Sequence, residues 1–375
     1  FMMPMLLIFF DKWLMKSKHR SFVPNFKKFG RGLHKGRWPI VIIFLIVMGL
    51  AVVFQTKTKF FYGDHAIEDH EDPLTQEDYA ISEHFGHFQP LIILYDKDAK
   101  TEAVAATESI QELEYVGHIE SLVTSVPKTI PSEMIPDEYL EKFVGKDYAR
   151  IIISVNVFGE SEEMYEVAKD IDDICKLNFG EEYYVLGYSA SITEIRDTVL
   201  EDGVLVQIIS VIAIALIVGL IFRSISVPIV LVLVIQTAIW INFAVPYFLD
   251  KNLSYIGYLV VSSLQLGATI DYAVLLSSRY MEFRDEGLEK KEAISKALEK
   301  SATTILVSCF VLAAAGFVEM LMSDVDSVRD MGLLIGRGVL LSGLMVLVTL
   351  PALLVLLDKP LQVLTFKKKK KEEKI

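Results

Sequence analysis

The chain has 375 residues, 52% of them hydrophobic, with a mean hydropathy of +0.41 and a net charge of −12. The apolar residues are gathered into runs at 40–54, 204–222, 227–249, 256–278, 304–322 and 331–357, most of them near the ~20 residues that cross ~30 Å of hydrocarbon. This excludes a soluble enzyme, a secreted disulfide scaffold and a disordered chain, and marks a polytopic α-helical membrane protein.

Charge is partitioned as sharply as hydrophobicity. Residues 56–203 hold 33 Asp and Glu against 11 Lys and Arg, whereas the rest of the chain holds 16 against 26. An acidic water-soluble block therefore stands beside basic juxtamembrane segments. Nucleic-acid binding does not fit so acidic a soluble part.

Phe1–Phe10 reads as the end of a preceding span. It is too short to cross alone and lacks the basic start and cleavage site of a signal peptide. With Phe rather than Met at position 1, the expectation is a piece of a longer protein with further spans upstream. Residues 11–38 carry nine basic residues from Lys12 to Arg37, which places this linker on the cytoplasmic side. The 39–55 span then leads outward, and the acidic block 56–203 is extracytoplasmic.

Within that block, Leu91–Tyr95 has the pattern of a buried strand, and Thr101–Tyr115 that of a helix with Thr101 as N-cap. His118–Val126 predicts a second strand, followed by a loop punctuated by Pro127, Pro131 and Pro136. Arg150–Phe158 is the strongest strand signal, Ser161–Leu177 an amphipathic helix opened by Ser161-Glu162-Glu163, and Glu182–Tyr188 a last strand. The order is that of a split-βαβ, ferredoxin-like α+β module, a fold that carries no function by itself. His84 and His87 could share one helical turn, but nothing nearby completes a metal site, and the histidines read as surface or turn residues. Ser-His-Asp, Walker and HExxH patterns are absent, so no enzyme chemistry, metal or cofactor is expected. Cys175 lies in the soluble block and Cys309 in an apolar run; they read as small buried hydrophobes rather than a disulfide.

Five further spans form a bundle over 204–357. Span 204–222 returns to Arg223, 227–249 goes out to Asp250-Lys251-Asn252, and 256–278 comes back to Arg279 and Arg284. Span 304–322 exits to the acidic loop Ser323–Asp330, and 331–357 re-enters before the basic tail 358–375. Every loop agrees with one orientation. The tail is expected to lie solvated against anionic lipid. Between spans, 284–301 has an apolar stripe of Ala293, Ile294, Ala297 and Leu298, and reads as a cytoplasmic interfacial helix.

Asp271 is the residue out of place. It lies two-thirds of the way along the 256–278 span, where a carboxylate costs ~3 kcal/mol on insertion scales. A titratable group that binds and releases a proton explains it better than a packing role. Gly267 and Ala268, four and three residues earlier, share its helix face and admit close approach of a partner helix. Tyr272 offers a hydroxyl to a partner carboxylate or to water. Thr304 and Ser308, one turn apart on the next span, either hydrogen-bond toward Asp271 or bond back to their own helix. Gln265 is expected to hydrogen-bond between helices. Glu319 is expected to snorkel to water, and Arg337 to reach the outer interface or pair with Glu319.

These residues resemble the RND superfamily and, within it, the MMPL (mycobacterial membrane protein large) transporters. The resemblance rests on Gly267-Ala268-Thr269-Ile270-Asp271-Tyr272, on Ser278-Arg279-Tyr280-x-Glu282, on the Arg223-Ser224 turn, on the 284–301 connector and on Leu350-Pro351-Ala352-Leu353-Leu354. It extends over nearly the whole chain and implies half of an RND fold, with 56–203 as a porter domain. It further implies proton-driven export of lipids or other hydrophobic molecules across the cell membrane, with Asp271 and Tyr272 as one Asp-Tyr pair of a proton relay. The implied partners are protons, membrane lipids, the N-terminal half-repeat that would carry the matching pair, and further copies of the chain in a homo-oligomer. The competing class is a membrane sensor, scaffold or protein-export accessory subunit acting through its ectodomain.

Overall fold

The computed structural model describes residues 26–63, 76–77, 80–82, 84, 89–126, 136–157 and 159–363. The expectations for Phe1–Phe10, for most of the 11–38 linker, for His87 and for the basic tail beyond Val363 lie outside them. In chain order the elements are α1 (Lys27–Lys35), α2 (Arg37–Gln55), β1 (Phe60–Phe61), β2 (Gln89–Asp96), α3 (Lys100–Gln111), β3 (Val116–Ser121), α4 (Leu122–Ser125), α5 (Asp137–Phe143) and β4 (Tyr148–Val155). There follow α6 (Glu162–Phe179), β5 (Tyr183–Leu186), α7 (Tyr188–Phe222), α8 (Ser226–Leu249), β6 (Leu253–Ser254), α9 (Tyr255–Asp285), α10 (Lys290–Met322), α11 (Asp326–Leu356) and α12 (Asp358–Val363).

Among the described residues, six helices, α2 and α7 to α11, are long and apolar enough to cross a membrane. Their burial sorts them into layers. The most apolar stretch is 72% buried in α8 and in α11 and 50% in α9, but only 22% in α10, 17% in α2 and 6% in α7. Helices α8 and α11 therefore form the centre, α9 flanks it, and the other three present their side chains outward, as lipid-facing helices do.

The soluble block builds a four-stranded antiparallel sheet in the order β3-β4-β2-β5. Alternation along the strands buries Leu91, Ile93 and Tyr95 of β2 and Ile151, Ile153 and Val155 of β4 in one core with Ile110 of α3 and Met164 and Ile171 of α6. Ser161 caps α6 as its spacing predicts, accepting from the Met164 N–H at 3.2 Å. Thr101 does not cap α3. That helix starts at Lys100, with Ala99 at the N-cap position. The second strand ends at Ser121 rather than Val126, because Ser121 and Thr124 form a reciprocal capping box that opens α4.

Two boundaries differ more deeply. The last strand and the 204–222 span are separated in the sequence reading, yet Tyr188–Phe222 is one helix of 35 residues, ~52 Å long at 1.5 Å per residue. It runs from the edge of the sheet domain through the whole 204–222 apolar run without a break. The interfacial connector is also corrected. Helix α9 continues to Asp285, the chain turns at Gly287 with φ +89°, and α10 runs unbroken from Lys290 to Met322. Ala293, Ile294, Ala297 and Leu298 are fully buried, and α1 lies on them. A Cβ on Gly30 would stand 2.8 Å from the Ser295 Cα and 3.2 Å from Leu298 Cδ1. An apolar stripe meant for lipid or for protein looks the same in sequence.

Helices α10 and α11 meet backbone to backbone. A Cβ on Gly316 would lie 2.7 Å from both the Gly332 carbonyl oxygen and the Gly336 nitrogen, and one on Gly332 would lie 2.6 Å from the Met320 nitrogen. Small residues at such a crossing permit the close packing on which helix association in lipid depends. Gly316→Val is expected to separate the helices, costing ~2 kcal/mol by overpacking and lowering the thermal midpoint of the detergent-solubilised protein.

A buried ion cluster closes the end of the bundle where α9 meets α12. Asp358 is 2% exposed. It accepts from the Tyr280 hydroxyl at 2.7 Å and from Arg284 Nε and Nη2 at 2.9 Å each, with Lys290 Nζ 3.4 Å away. Burial pushes the carboxyl up, but the Arg284 and Tyr280 hydrogen bonds and the charges of Arg284 and Lys290 outweigh it and hold the carboxyl below its ordinary 3.8. Because the native value is depressed, the ionised carboxylate stabilises the fold above the ordinary value and loses that contribution as pH falls through the native one. Asp358→Asn is expected to cost ~3 kcal/mol by leaving Arg284 without its partner. In denaturation at a series of pH values, its deficit should be full near neutrality and shrink below pH 3.8.

Candidate functional site

Helix α9 has no proline and opens on Ser254, whose hydroxyl accepts from the Gly257 N–H at 3.4 Å. Its rotation is set one and a half turns before Asp271. Gln265 is buried, and its Nε2 donates to the Gly338 carbonyl at 2.9 Å and to the Ser342 hydroxyl at 3.0 Å. Its Oε1 accepts from Asn242 Nδ2 at 3.2 Å, and the same amide donates to the Leu334 carbonyl at 2.9 Å. Gln265 is thus the helix-to-helix hydrogen-bonder its sequence position predicts, joining α9 to α8 and α11. Gly338 makes the space, since a Cβ there would approach Asn242 Nδ2 to 2.6 Å.

Arg337 belongs to this knot, which corrects the expectation of an interfacial role or a Glu319 pair. Its Nε donates to Asn242 Oδ1 at 2.7 Å and its Nη2 to the Asn242 carbonyl at 2.9 Å. A fixed guanidinium fork that finds two acceptors on one residue gains more there than from a distant carboxylate across lipid. The sequence reading passed over Asn242. Its signal was there, a lone amide in the apolar Ile239–Ala244 stretch, which a membrane helix retains only where it has partners.

With Gln265 turned into the bundle, Asp271 is carried to the opposite flank. At 100° per residue, six residues amount to 240°. Asp271 is exposed, whereas Tyr272, one residue on, is 8% exposed and sets its hydroxyl beside the Cys309 thiol of α10. Gly267 lies on the same open flank as Asp271, and a Cβ there would meet nothing within 4 Å.

A cavity of 570 Å³ lies between α9 and α10 and is lined by Ala268, Asp271, Tyr272, Thr304 and Ser308 among others. The structure brings these five expected site residues together. It leaves Gln265 behind them as the anchor of the helix. Ser278, Arg279 and Glu282 continue the lining toward the end of α9, where Arg279 and Glu282 pair at 2.7 Å. The Asp271 carboxylate, the Arg279–Glu282 pair and four hydroxyls, those of Tyr272, Ser278, Thr304 and Ser308, thus border one space. Such a set can hydrate a proton carrier and pass protons along hydrogen bonds.

The sequence profile of the MMPL family matches residues 66–374. The membrane protein SCO0839 of Streptomyces coelicolor is 29% identical over 202 residues, which are 53% of this chain and 28% of that protein. The membrane protein MJ1562 of Methanocaldococcus jannaschii is 22% identical over 357 residues, 85% of this chain and 90% of that protein. The sulfolipid-1 exporter MmpL8 of Mycobacterium tuberculosis is 31% identical over 96 residues, 26% of this chain and 9% of that exporter. The chain therefore spans only a minor part of the Streptomyces and Mycobacterium relatives and most of the Methanocaldococcus one. With the profile matched over most of its length, and with six helices among the described residues long and apolar enough to cross a membrane, the chain belongs to the MMPL family.

Proposed function

We propose that this chain is a half-repeat of a proton-motive-force-driven exporter of lipids or other hydrophobic molecules, in which Asp271 and Tyr272 form one arm of the proton relay. The observation that carries this reading is the placement of Asp271. A mid-span carboxylate stands on an open flank of the bundle, above Gly267 and beside a hydroxyl-lined cavity. Left against lipid, such a group costs several kcal/mol, so intramembrane carboxylates face a bundle interior or a watered cavity. In parallel-repeat transporters the coupling site lies at the interface between repeats. The flank bearing Asp271 is where an N-terminal half-repeat with its own Asp-Tyr pair would pack, and homo-oligomers would assemble from such completed units.

On this reading the 56–203 block is the extracytoplasmic porter domain, and its strand order supports a ferredoxin-like assignment. The 39–55 span leads outward to it, and the five-helix bundle 204–357 returns the chain to a cytoplasmic tail at 358–375. The name of the MmpL8 relative, a sulfolipid exporter, supports a lipid as cargo.

Protonation of Asp271 would remove its charge and the repulsion between it and a second carboxylate across the interface. Deprotonation would restore both and favour a different packing of the two halves. Asp271→Asn keeps the shape and abolishes the titration. In proteoliposomes holding the full-length protein under an imposed proton gradient, export of a fluorescent hydrophobic probe should fall at least ~100-fold, the order seen when a proton-transfer group is removed. Undiminished gradient-driven export by the variant would make Asp271 a packing residue and end this reading.

A further inference from the structure

The end of α9 remote from Asp358 is held by the soluble domain, and one carboxylate makes the connection. Strand β6 immediately precedes α9 and pairs in parallel with β1, Phe60 opposite Leu253 and Phe61 opposite Ser254. The Leu253 N–H donates to the Lys59 carbonyl at 3.0 Å. Aromatic rings lock this short ladder to the helix. Tyr255 stacks on Tyr62 with centroids 4.9 Å apart, and Phe60 meets the Tyr255 and Tyr258 rings edge-on at 5.3 and 5.2 Å. Helix α7 closes the other side at Gly203, where a Cβ would come within 2.8 Å of the Tyr255 hydroxyl oxygen. The 60–63 segment is thus a strap across the head of α9.

The far end of the strap is held by Glu160. This residue lies between the central strand β4 and the packed helix α6. Its Oε1 accepts from the Tyr62 N–H and from the Tyr165 hydroxyl, and its Oε2 accepts from the Gly63 N–H at 2.8 Å. A Cβ at position 63 would press on the Tyr188 hydroxyl and stand 3.1 Å from Glu160 Oε2. Arg196 of α7 lies over the Tyr165 ring at 4.0 Å and pairs with Glu162 at 3.4 Å, so α6 and α7 converge on the clasp. A carboxylate that accepts from two consecutive backbone N–H groups and a phenol is a strong and directional link.

Tyr255 and Asp271 are sixteen residues apart on one continuous helix, ~24 Å along its axis. A helix of that length moves as a rigid body, so a shift at Asp271 reaches the strap. We propose that Glu160 is a positioning residue that couples the soluble domain to the helix bearing Asp271. The clasp converts displacement of α9 into displacement of the β4–α6 corner of the soluble domain. This inference rests on the transporter reading above for its biological use, but not for its test.

Hydrogen exchange at Tyr62 and Gly63 in the full chain, held in lipid nanodiscs, reads the clasp directly. Wild type, Asp271→Asn, Glu160→Gln and the double variant are compared at one pH. Neutralising Asp271 is expected to change exchange at the strap roughly tenfold while Glu160 is intact, the effect of loosening or tightening one charge-assisted hydrogen bond. In the Glu160→Gln background the same neutralisation should leave the strap unchanged. If Glu160→Gln unfolds the protein, seen as lost protection throughout the soluble core, Glu160→Asp takes its place and should reduce the response. A strap that ignores Asp271 in the wild-type background, or that still responds fully without Glu160, overturns the proposal. Probe export separates the two ideas. Lost export in Asp271→Asn with an unresponsive strap removes the coupling alone, whereas retained export with a responsive strap removes the proton relay alone.

Discussion

The hydrogen bonds of Gln265 decide how the rest of the membrane domain is arranged. An amide in a hydrocarbon setting must find partners within the protein. Gln265 finds a carbonyl and a hydroxyl on α11 and the Asn242 amide on α8. That locks the rotation of α9 about its axis. Once it is locked, periodicity places Tyr272 against α10 and Asp271 on the flank, and no other residue needs to orient the carboxylate. The knot also gives Arg337 its acceptors on Asn242, so a cation that a lipid-facing helix could not tolerate becomes part of the packing.

Helix α9 is the shared member of the strap, the Gln265 knot and the Asp358 cluster. One end is held by the strap on Tyr255, the middle by Gln265, and the other end by Tyr280 and Arg284 on Asp358. Tertiary contacts thus fix α9 at both ends and in its middle. The glycine crossing of α10 and α11 sets α10, with Thr304 and Ser308, at its distance from the central helices. The cavity beside Asp271 is therefore walled by α9 and α10.

Asp271 itself was legible in the sequence, because a lone carboxylate in an apolar run contradicts its surroundings. So were Tyr272, Thr304 and Ser308, by their spacing on adjacent spans, and the strands and helices of the soluble block, by alternation and by the Ser161 cap. Asn242 and Asp358 were harder. Asn242 is a lone amide in an apolar stretch and Asp358 a carboxylate at the edge of a basic tail, and the meaning of each depends on partners 23 and 78 residues away. Glu160 was invisible as one of 33 acidic residues in the 56–203 block, since nothing in an acidic stretch tells a carboxylate that binds three donors from one that faces water. The 284–301 stripe misled for a related reason, because lipid and a covering helix demand the same apolar pattern.

By itself, the sequence determined that the chain crosses a membrane, how many apolar helices it offers for the crossing, that an acidic α+β block interrupts them, and that one carboxylate lies at depth. These follow from local quantities, the length of apolar runs and the period of their residues, which bilayer thickness and backbone geometry convert into structure. Only the tertiary structure decided that Gln265 faces inward and Asp271 outward, that α7 and α10 extend past the boundaries of their apolar runs, and that Arg337 is satisfied by Asn242. Those outcomes depend on which donor meets which acceptor across helices far apart in the chain, and no local pattern encodes that choice.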